Sequence, residues 1–412
     1  VIVYLFKRNA PASTRSEQGV LVPQVVIVDA VRSPIGKRRG SLANTEAPNL
    51  LGDVFVSLFQ RTGVDPDLVG QAVVGCVGQV GQQSGNVGRN AWLGAGLPLT
   101  TAASTVQAQC GSSQQAATLA YGLVAGGVVD LVVAGGVESM DQVPMNATAM
   151  PEYGTGRNER YQTHYEATTQ FQGADRIAQQ WGFTRDELDA YGLRSQQLAA
   201  TAIAAERFGS QTVTVEAVVV DDAGQVVGTK PFNQDEAPRA STIEGLSKLK
   251  PNLQEPTPGL HTAGTTSQIA DGASALLFTT PERAADLGVT ARARIVDSVL
   301  VGSDPVLMLT GPIPATQALL QRTGLTIEDI DVFEVNEAFA SVVLAWQRET
   351  GADLDKVNVN GGAIALGHPL GASGGILLAK ALNELERTNG RYALITMCCG
   401  GGLGTGTIIE RL

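Results

Sequence analysis

Short runs of apolar, β-branched residues alternate along most of the chain with longer segments whose apolar positions recur at helical spacing. VVIVDAVRSP (25–34), QAVVGCV (71–77), DLVVAGGV (130–137), RIVDSVLVG (294–302), DVFEVNE (331–337) and YALITM (392–397) are the strand-like runs. Their nearly unbroken apolar character predicts strands covered on both faces, hence an α/β fold with largely parallel strands. Helix-like segments end on glycine at LFQRTG (58–63) and LLQRTG (319–324). One long helical pattern, TRDELDAYGLRSQQLAATAIAAERFG (184–209), opens with Thr184 three residues before Glu187, the spacing of a capping box. TVTVEAVVV (212–220) after it reads as a strand.

Several of these pieces occur twice, in the same order. VVIVDAVRSP pairs with RIVDSVLVG, and LFQRTGVDPDLV (58–69) with LLQRTGLTIEDI (319–330). TVQAQCGSSQQAATLAYGLVAGG (105–127) has a weaker counterpart in KVNVNGGAIALGHPLGASGGILLAKAL (356–382), and DLVVAGGVESM (130–140) in YALITMCCGGG (392–402). The chain is therefore an internal duplication whose halves are expected to pack as pseudo-symmetric sheets sharing helices. The repeat is lost across 144–262, which reads as an insertion over the end of the first half, the kind of segment that often forms substrate sites. The expected divisions are an extension over 1–23, a first half over 24–143 completed by 263–290, a loop domain over 144–262, and a second half over 291–412.

Composition narrows the functional classes. With 412 residues, 43% hydrophobic and 17% charged, the chain is that of a soluble protein with more than one core. No apolar run reaches the length of a membrane span. A net charge of −11 and the lack of any Lys/Arg run argue against nucleic-acid partners. A polyanionic small ligand would need a local basic patch, and Arg239, Lys248 and Lys250 are the candidates, with solvated helix charges the alternative. The cysteines, Cys76, Cys110, Cys398 and Cys399, have no disulfide-framework spacing, which fits a reducing cytoplasm. The opening VIVYLFKR lacks the order of a secretory signal, and the closing IIERL does not match a peroxisomal address.

The chemistry-bearing residues cluster in glycine-dense blocks. Cys110 stands where a strand-like run meets GSSQQAATLAYGL, so a helix N-terminus is expected to favour its thiolate; a buried inert cysteine is the alternative. His368, between Gly367 and Pro369, sits on a tight loop, and it is the strongest candidate for a base beside Cys110 among the three histidines. Cys398 begins CCGGGLG, where a second thiol beside glycine N–H groups suits acid–base work at an oxyanion site. Cys399 should face the opposite way and serve packing. Asn336 follows a strand end and offers an amide to orient a water, with neighbouring Glu337 in an indirect role. GGVESM (135–140) lacks the lysine of a phosphate loop and reads as a packing loop. Two thiols, one imidazole and one amide suit carbon–carbon bond chemistry on a thioester.

The blocks NEAF (336–339), GGAIALGHPLGASG (361–374) and C-x-G-G-G (398–402), in this order, resemble the thiolase family of acetyl-CoA acyltransferases, from about Pro23 to Leu412. The resemblance implies a duplicated, five-layered α-β-α-β-α fold with an inserted loop domain, usually a homodimer or homotetramer. It implies Cys110 as the acylated nucleophile, His368 as its base and Cys398 as the acid/base toward the α-carbon of acetyl-CoA. One oxyanion hole would be a water on Asn336 together with His368, the other the N–H groups of Cys110 and Gly400. Ser267, in HTAGTTSQIADG (261–272), would touch coenzyme A, and Arg239 would lie near its phosphates. Coenzyme A is then a substrate; no metal and no permanently bound cofactor is expected.

Where short-chain biosynthetic members carry His-Met-Gly, this chain reads TQFQGADRIA (169–178). Other stretches, SPIGKRRG and LITMCCGGGLGTGTIIER among them, are similar to degradative actinobacterial thiolases, including those acting on sterol side chains. The expected activity is thiolysis of 3-oxoacyl-CoA in fatty-acid or steroid side-chain β-oxidation. The alternatives are a biosynthetic acetoacetyl-CoA thiolase, a ketoacyl synthase, a cysteine hydrolase, and a non-catalytic acyl-CoA or sterol carrier.

Overall fold

The structure, a computed structural model, describes residues 23–254 and 259–412, so the extension expected over 1–23 lies, but for Pro23, outside the described residues. The strands are β1 (Val26–Arg32), β2 (Gly36–Lys37), β3 (Gln71–Gly75), β4 (Ala102–Val106), β5 (Leu131–Ser139), β6 (Val215–Val220), β7 (Val226–Phe232), β8 (Ala270–Thr279), β9 (Ala293–Gly302), β10 (Val332–Val335), β11 (Tyr392–Cys399) and β12 (Leu403–Arg411). All but β2, β6 and β7 follow one hydrogen-bonded path, β10-β11-β12-β9-β1-β8-β5-β3-β4; β2 adds to β8, and β6 pairs with β7 apart from it.

The duplication is explicit in this order. Outward from the centre, β1-β8-β5-β3 is repeated by β9-β12-β11-β10, with the inner pairs antiparallel and the outermost pair parallel in both. Among the described residues, strand pairing between the halves is confined to Val26 opposite Arg294 and Ile27 opposite Ala293. Helices α1 (Ala47–Thr62) and α5 (Pro312–Thr323) also repeat each other. Each ends on a left-handed glycine, Gly63 at φ 68° and Gly324 at φ 75°, whose N–H caps the carbonyl of Phe59 or Leu320.

The sheet is mixed, not largely parallel as the apolar runs suggested. Those runs report burial, and here helices cover both faces of antiparallel strands as well, which removes the alternation that would have identified them. One cluster joins the outer face of the first half to α1, through residues such as Val74, Val133, Leu277 and Phe55. A second joins inner faces of both halves to α2 (Ser112–Ala125) and α7 (Ser373–Thr388), through Ala116, Ala120, Leu378, Leu382, Phe278 and Ile395. A third covers the outer face of the second half with α5 and α6 (Ala340–Thr350). The sequence of layers is thus helix, sheet, helix pair, sheet, helix.

At the centre, α2 and α7 touch at their first turns. A Cβ on Gly374 would overlap the backbone of Gln114, and the Gly375 N–H donates to Ser113 Oγ at 3.0 Å. Each half thereby delivers one helix N-terminus to the same place.

The insertion straddles both halves instead of lying over the first. Helices α3 (Gln170–Gln180) and α4 (Arg185–Ala204) pack on α6 and on the turn Ala363–Leu366, while the β6–β7 hairpin lies on α1. Ala174, Ile177, Leu188 and Tyr191 supply the apolar positions that join the second-half core. Thr184 and Glu187 form the anticipated capping box, and Thr169 with Gln172 forms another at the start of TQFQGADRIA. No helix among the described residues is long and apolar enough to cross a membrane.

Candidate active site

Cys110 lies in the turn between β4 and α2, two residues before the helix begins. The turn is held tightly: Ser112 Oγ donates to Gln109 O at 2.5 Å and accepts from the Ala108 N–H at 3.0 Å, while Gln109 adopts φ 52°, unusual for a residue with a side chain. The backbone N–H groups of Gly400 and of Cys110 itself lie close enough to the Cys110 sulfur to favour its thiolate. Gly400 follows directly on β11, whose strand runs on through both Cys398 and Cys399, opposite Gly404 and Leu403.

The anticipated activation of Cys110 by the helix N-terminus does not prevail over burial. Burial dominates and pushes the thiol up to about 11, with the two N–H donors opposing it and the charge of Glu138 adding to it. Cys398 is fully buried, and its thiol is held well above its usual value by burial first and then by the nearness of Cys110 and Cys399. The adjacent cysteines diverge: Cys398 belongs to the outer cluster of the second half, Cys399 to the central one.

His368 sits between the turn Ala363–Leu366 and a single 3-10 turn at Leu370–Ala372, off any helix face as expected. Its Nε2 faces Asn336 Nδ2 at 3.3 Å. On the other side, Nδ1 is 2.6 Å from Ser373 Oγ, and that hydroxyl donates its one hydrogen to Pro369 O at 2.8 Å. Ser373 must therefore accept from Nδ1–H, which leaves the lone pair of the neutral ring on Nε2. Burial lowers the imidazole to about 4, so it is uncharged at neutral pH.

Three groups that sequence reasoning missed hold this loop. The backbone N–H of His368 donates to Gln268 O at 3.0 Å, and Gln268 Nε2 donates to Ala365 O at 2.9 Å. Glu138 accepts from the N–H groups of Val77 at 2.9 Å, Gly78 at 2.9 Å and Gly371 at 2.8 Å, tying the end of β3 to the histidine loop. Glu138 belongs to GGVESM, which is part of β5 and not a loop; a Cβ on Gly135 would overlap Ser274 O, and one on Gly136 would overlap Gly371 O. Ser373 was within the recognised block, but its role depends on the turn at Pro369, which no periodicity reports.

The structure thus brings Cys110 to Gly400, Cys398 near Cys110, and Asn336 to His368, at the abutting ends of α2 and α7. Ser267 and Arg239 lie beside this group, outside it. The Ser267 N–H donates to Ala338 O at 2.9 Å, which lays its loop along the Asn336 segment. Arg239 is exposed, its N–H held by Gln196 Oε1 at 2.8 Å and its guanidinium 3.4 Å from Ala263 O. Lys248 and Lys250 are exposed as well.

Comparison with known proteins agrees over the whole folded body. Residues 25–282 match the family described as Thiolase, N-terminal domain, and residues 289–411 that described as Thiolase, C-terminal domain. The chain belongs to the thiolase family. This thiolase is 43% identical over 407 residues, 97% of each chain, to a protein of Mycobacterium tuberculosis named steroid 3-ketoacyl-CoA thiolase FadA6. It is 38% identical over 407 residues to an acetyl-CoA acetyltransferase of Syntrophomonas wolfei, covering 94% of this chain and 99% of the other. The crystal structure of the Bacillus anthracis acetyl-CoA acetyltransferase superposes with a TM-score of 0.86 at 34% identity, covering 95% of this chain and 99% of that one. The fold expected from the resemblance, and membership of an enzyme family, are established by these matches. Among the described residues, no group of three or more His, Cys, Asp or Glu side chains is placed to hold a metal ion.

Proposed function

We propose that this enzyme cleaves 3-oxoacyl-CoA with coenzyme A to give acetyl-CoA and a shortened acyl-CoA, in β-oxidation of fatty acids or steroid side chains. The observation that carries this reading is that Cys110 and His368 stand at the abutting first turns of α2 and α7, with the lone pair of the imidazole fixed on Nε2.

His368 Nε2 takes the Cys110 proton as the sulfur attacks the 3-keto carbon, which overcomes the high thiol pKa only when substrate is in place. The N–H groups of Cys110 and Gly400 stabilise one developing oxyanion; a water on Asn336, with His368, stabilises the other. The carbon–carbon bond breaks to leave the enolate of acetyl-CoA, and Cys398 gives it a proton. Coenzyme A then returns a proton to Cys398, its thiolate attacks the acyl-enzyme, and Cys110 leaves and recovers its proton from His368. Ser267 and Arg239 are assigned to the coenzyme A path, because the Ser267 loop runs alongside the Asn336 segment and Arg239 lies against the start of that loop at Ala263.

Bulky, steroid-bearing acyl chains are the favoured substrates, a reading supported by the likeness to the mycobacterial steroid thiolase and by TQFQGADRIA in place of His-Met-Gly. The domain divisions given above are retained as the working division. A cytoplasmic site is supported by four free thiols. Assembly as a homodimer or homotetramer is supported by β4, which among the described residues ends the sheet with one side unpaired and is partly exposed.

Thiolysis rates across short, long and steroid-bearing 3-oxoacyl-CoA substrates test the substrate reading. Preference for the bulky chains is expected; turnover of acetoacetyl-CoA alone would make the enzyme biosynthetic, and binding without release of acetyl-CoA would make it a carrier.

A further inference from the structure

We propose that Glu337 is a positioning residue that fastens the Asn336–His368 pair to helix α4 of the insertion, so that the inserted region sets the geometry of the acid–base centre. The inference rests on the thiolase reading above. Glu337 is fully buried, and its carboxylate receives four neutral donors. Tyr191 Oη at 3.0 Å and Asn358 Nδ2 at 3.1 Å donate to Oε1. Ser195 Oγ at 2.6 Å and the Ile364 N–H at 3.1 Å donate to Oε2.

These donors come from separate pieces of chain. Tyr191 and Ser195 lie at i and i+4 on α4, so one face of that helix presents both hydroxyls. Asn358 also clamps the end of β10: its Oδ1 accepts from the Val335 N–H at 2.9 Å and its Nδ2 donates to Val335 O at 2.8 Å, one residue before Asn336. Ile364 lies in the short turn that leads into His368, and a Cβ on Gly362 beside it would overlap the Glu337 carboxyl. One side chain therefore fixes the Asn336 loop, the His368 loop and α4 relative to one another.

Its lone pairs are fully used, which leaves none for a substrate or a transferred proton; this separates Glu337 from the groups that touch the reacting atoms. An amide of the same shape does not replace it. Tyr191 and Ser195 hydroxyls could turn to accept, but the glutamine NH2 would still face either the Ile364 N–H or the Asn358 NH2, two donors opposed in a dry site. On its other side α4 holds the candidate ligand segment. Gln196 Oε1 accepts from the Arg239 N–H at 2.8 Å while its Nε2 donates to Ile364 O at 3.2 Å, and Arg185 donates to Leu246 O at 2.7 Å. The helix thus spans from the proposed coenzyme A approach to the histidine loop.

The test compares wild-type enzyme with Glu337→Gln and with the double variant Tyr191→Phe/Ser195→Ala, by single-turnover acylation from acetyl-CoA together with steady-state kcat and KM. Glu337→Gln is expected to lower the acylation rate and kcat by about 100-fold while KM for acetyl-CoA changes little, as misplacement of a base by about 1 Å does. The double variant, which leaves Glu337 two donors, is expected to lose about tenfold and keeps the test open if Glu337→Gln does not fold. An unimpaired acylation rate in either folded variant, or a loss confined to KM, overturns this inference alone. A wild-type protein that does not acylate overturns the thiolase reading with it.

Discussion

The two halves share a sheet order and a central helix, yet the loops that enter those helices do different work. In the first half β4 passes to α2 through residues 107–111, a turn so short that Cys110 is held by Ser112 and the strained Gln109. In the second, the matching strand position at Val357, bridged in parallel to Phe333, reaches α7 only after residues 358–372. The added chain makes room for the turn Ala363–Leu366 and for His368, and it requires outside anchors: Gln268, Glu138 and Glu337. A short loop fixes the proposed nucleophile by local bonds; a long one fixes the proposed base by contacts from the other half and the insertion.

That contrast orders the expected effects of substitution. Cys110→Ala removes the proposed acceptor of the acyl group, and thiolysis is expected to fall by about 10⁴-fold or more in a steady-state assay. His368→Ala leaves the thiol near 11 without a base, with an expected loss of about 10²- to 10⁴-fold. Ser373→Ala keeps the imidazole but frees its tautomer, so a smaller loss, about tenfold, is expected in the acylation rate. If Ser373→Ala matches His368→Ala, the orientation of the ring and not its presence limits the base. If it has no effect, the Nδ1 contact is dispensable and the account of the tautomer fails.

The smallest expected effects compare the scaffolds directly. Gly63→Ala and Gly324→Ala place a Cβ at equivalent left-handed caps, each with open space around it, and each should cost about 1 kcal/mol in chemical denaturation. A much larger cost in one half would show that the halves are not energetically equivalent. pH sharpens the same contrast. With its thiol near 11, Cys110 in free enzyme is mostly protonated at neutral pH, so alkylation by iodoacetamide should rise about tenfold per pH unit from pH 7 to pH 10. A plateau beginning near pH 8 would place the thiol much lower than its burial implies.

What could be read from the sequence follows the range of the interactions. The capping box at Thr184 and Glu187 is local and was legible residue by residue, as were the glycine caps at 63 and 324. Cys110, His368 and Cys398 could be picked out as candidates because each lies near a strand or helix end amid glycines, and Asn336 because it directly follows β10. The direction of the Cys110 shift was not legible, because helix termini are visible in sequence and burial is not. Nor was the antiparallel placement of β8, which returns from the insertion to lie between β1 and β5. For Glu337 the sequence supports only an indirect role, since its four donors lie 21 to 146 residues away along the chain.

The central claim is that the thiol of the short loop, and not its neighbour at residue 398, carries the acyl group. Incubation with acetyl-CoA, rapid acid quench and peptide mapping by mass spectrometry measures this directly. An acetyl adduct on the peptide containing Cys110, absent in Cys110→Ala and retained in Cys398→Ala, is the predicted result; an adduct on Cys398, or one that survives in Cys110→Ala, would contradict it.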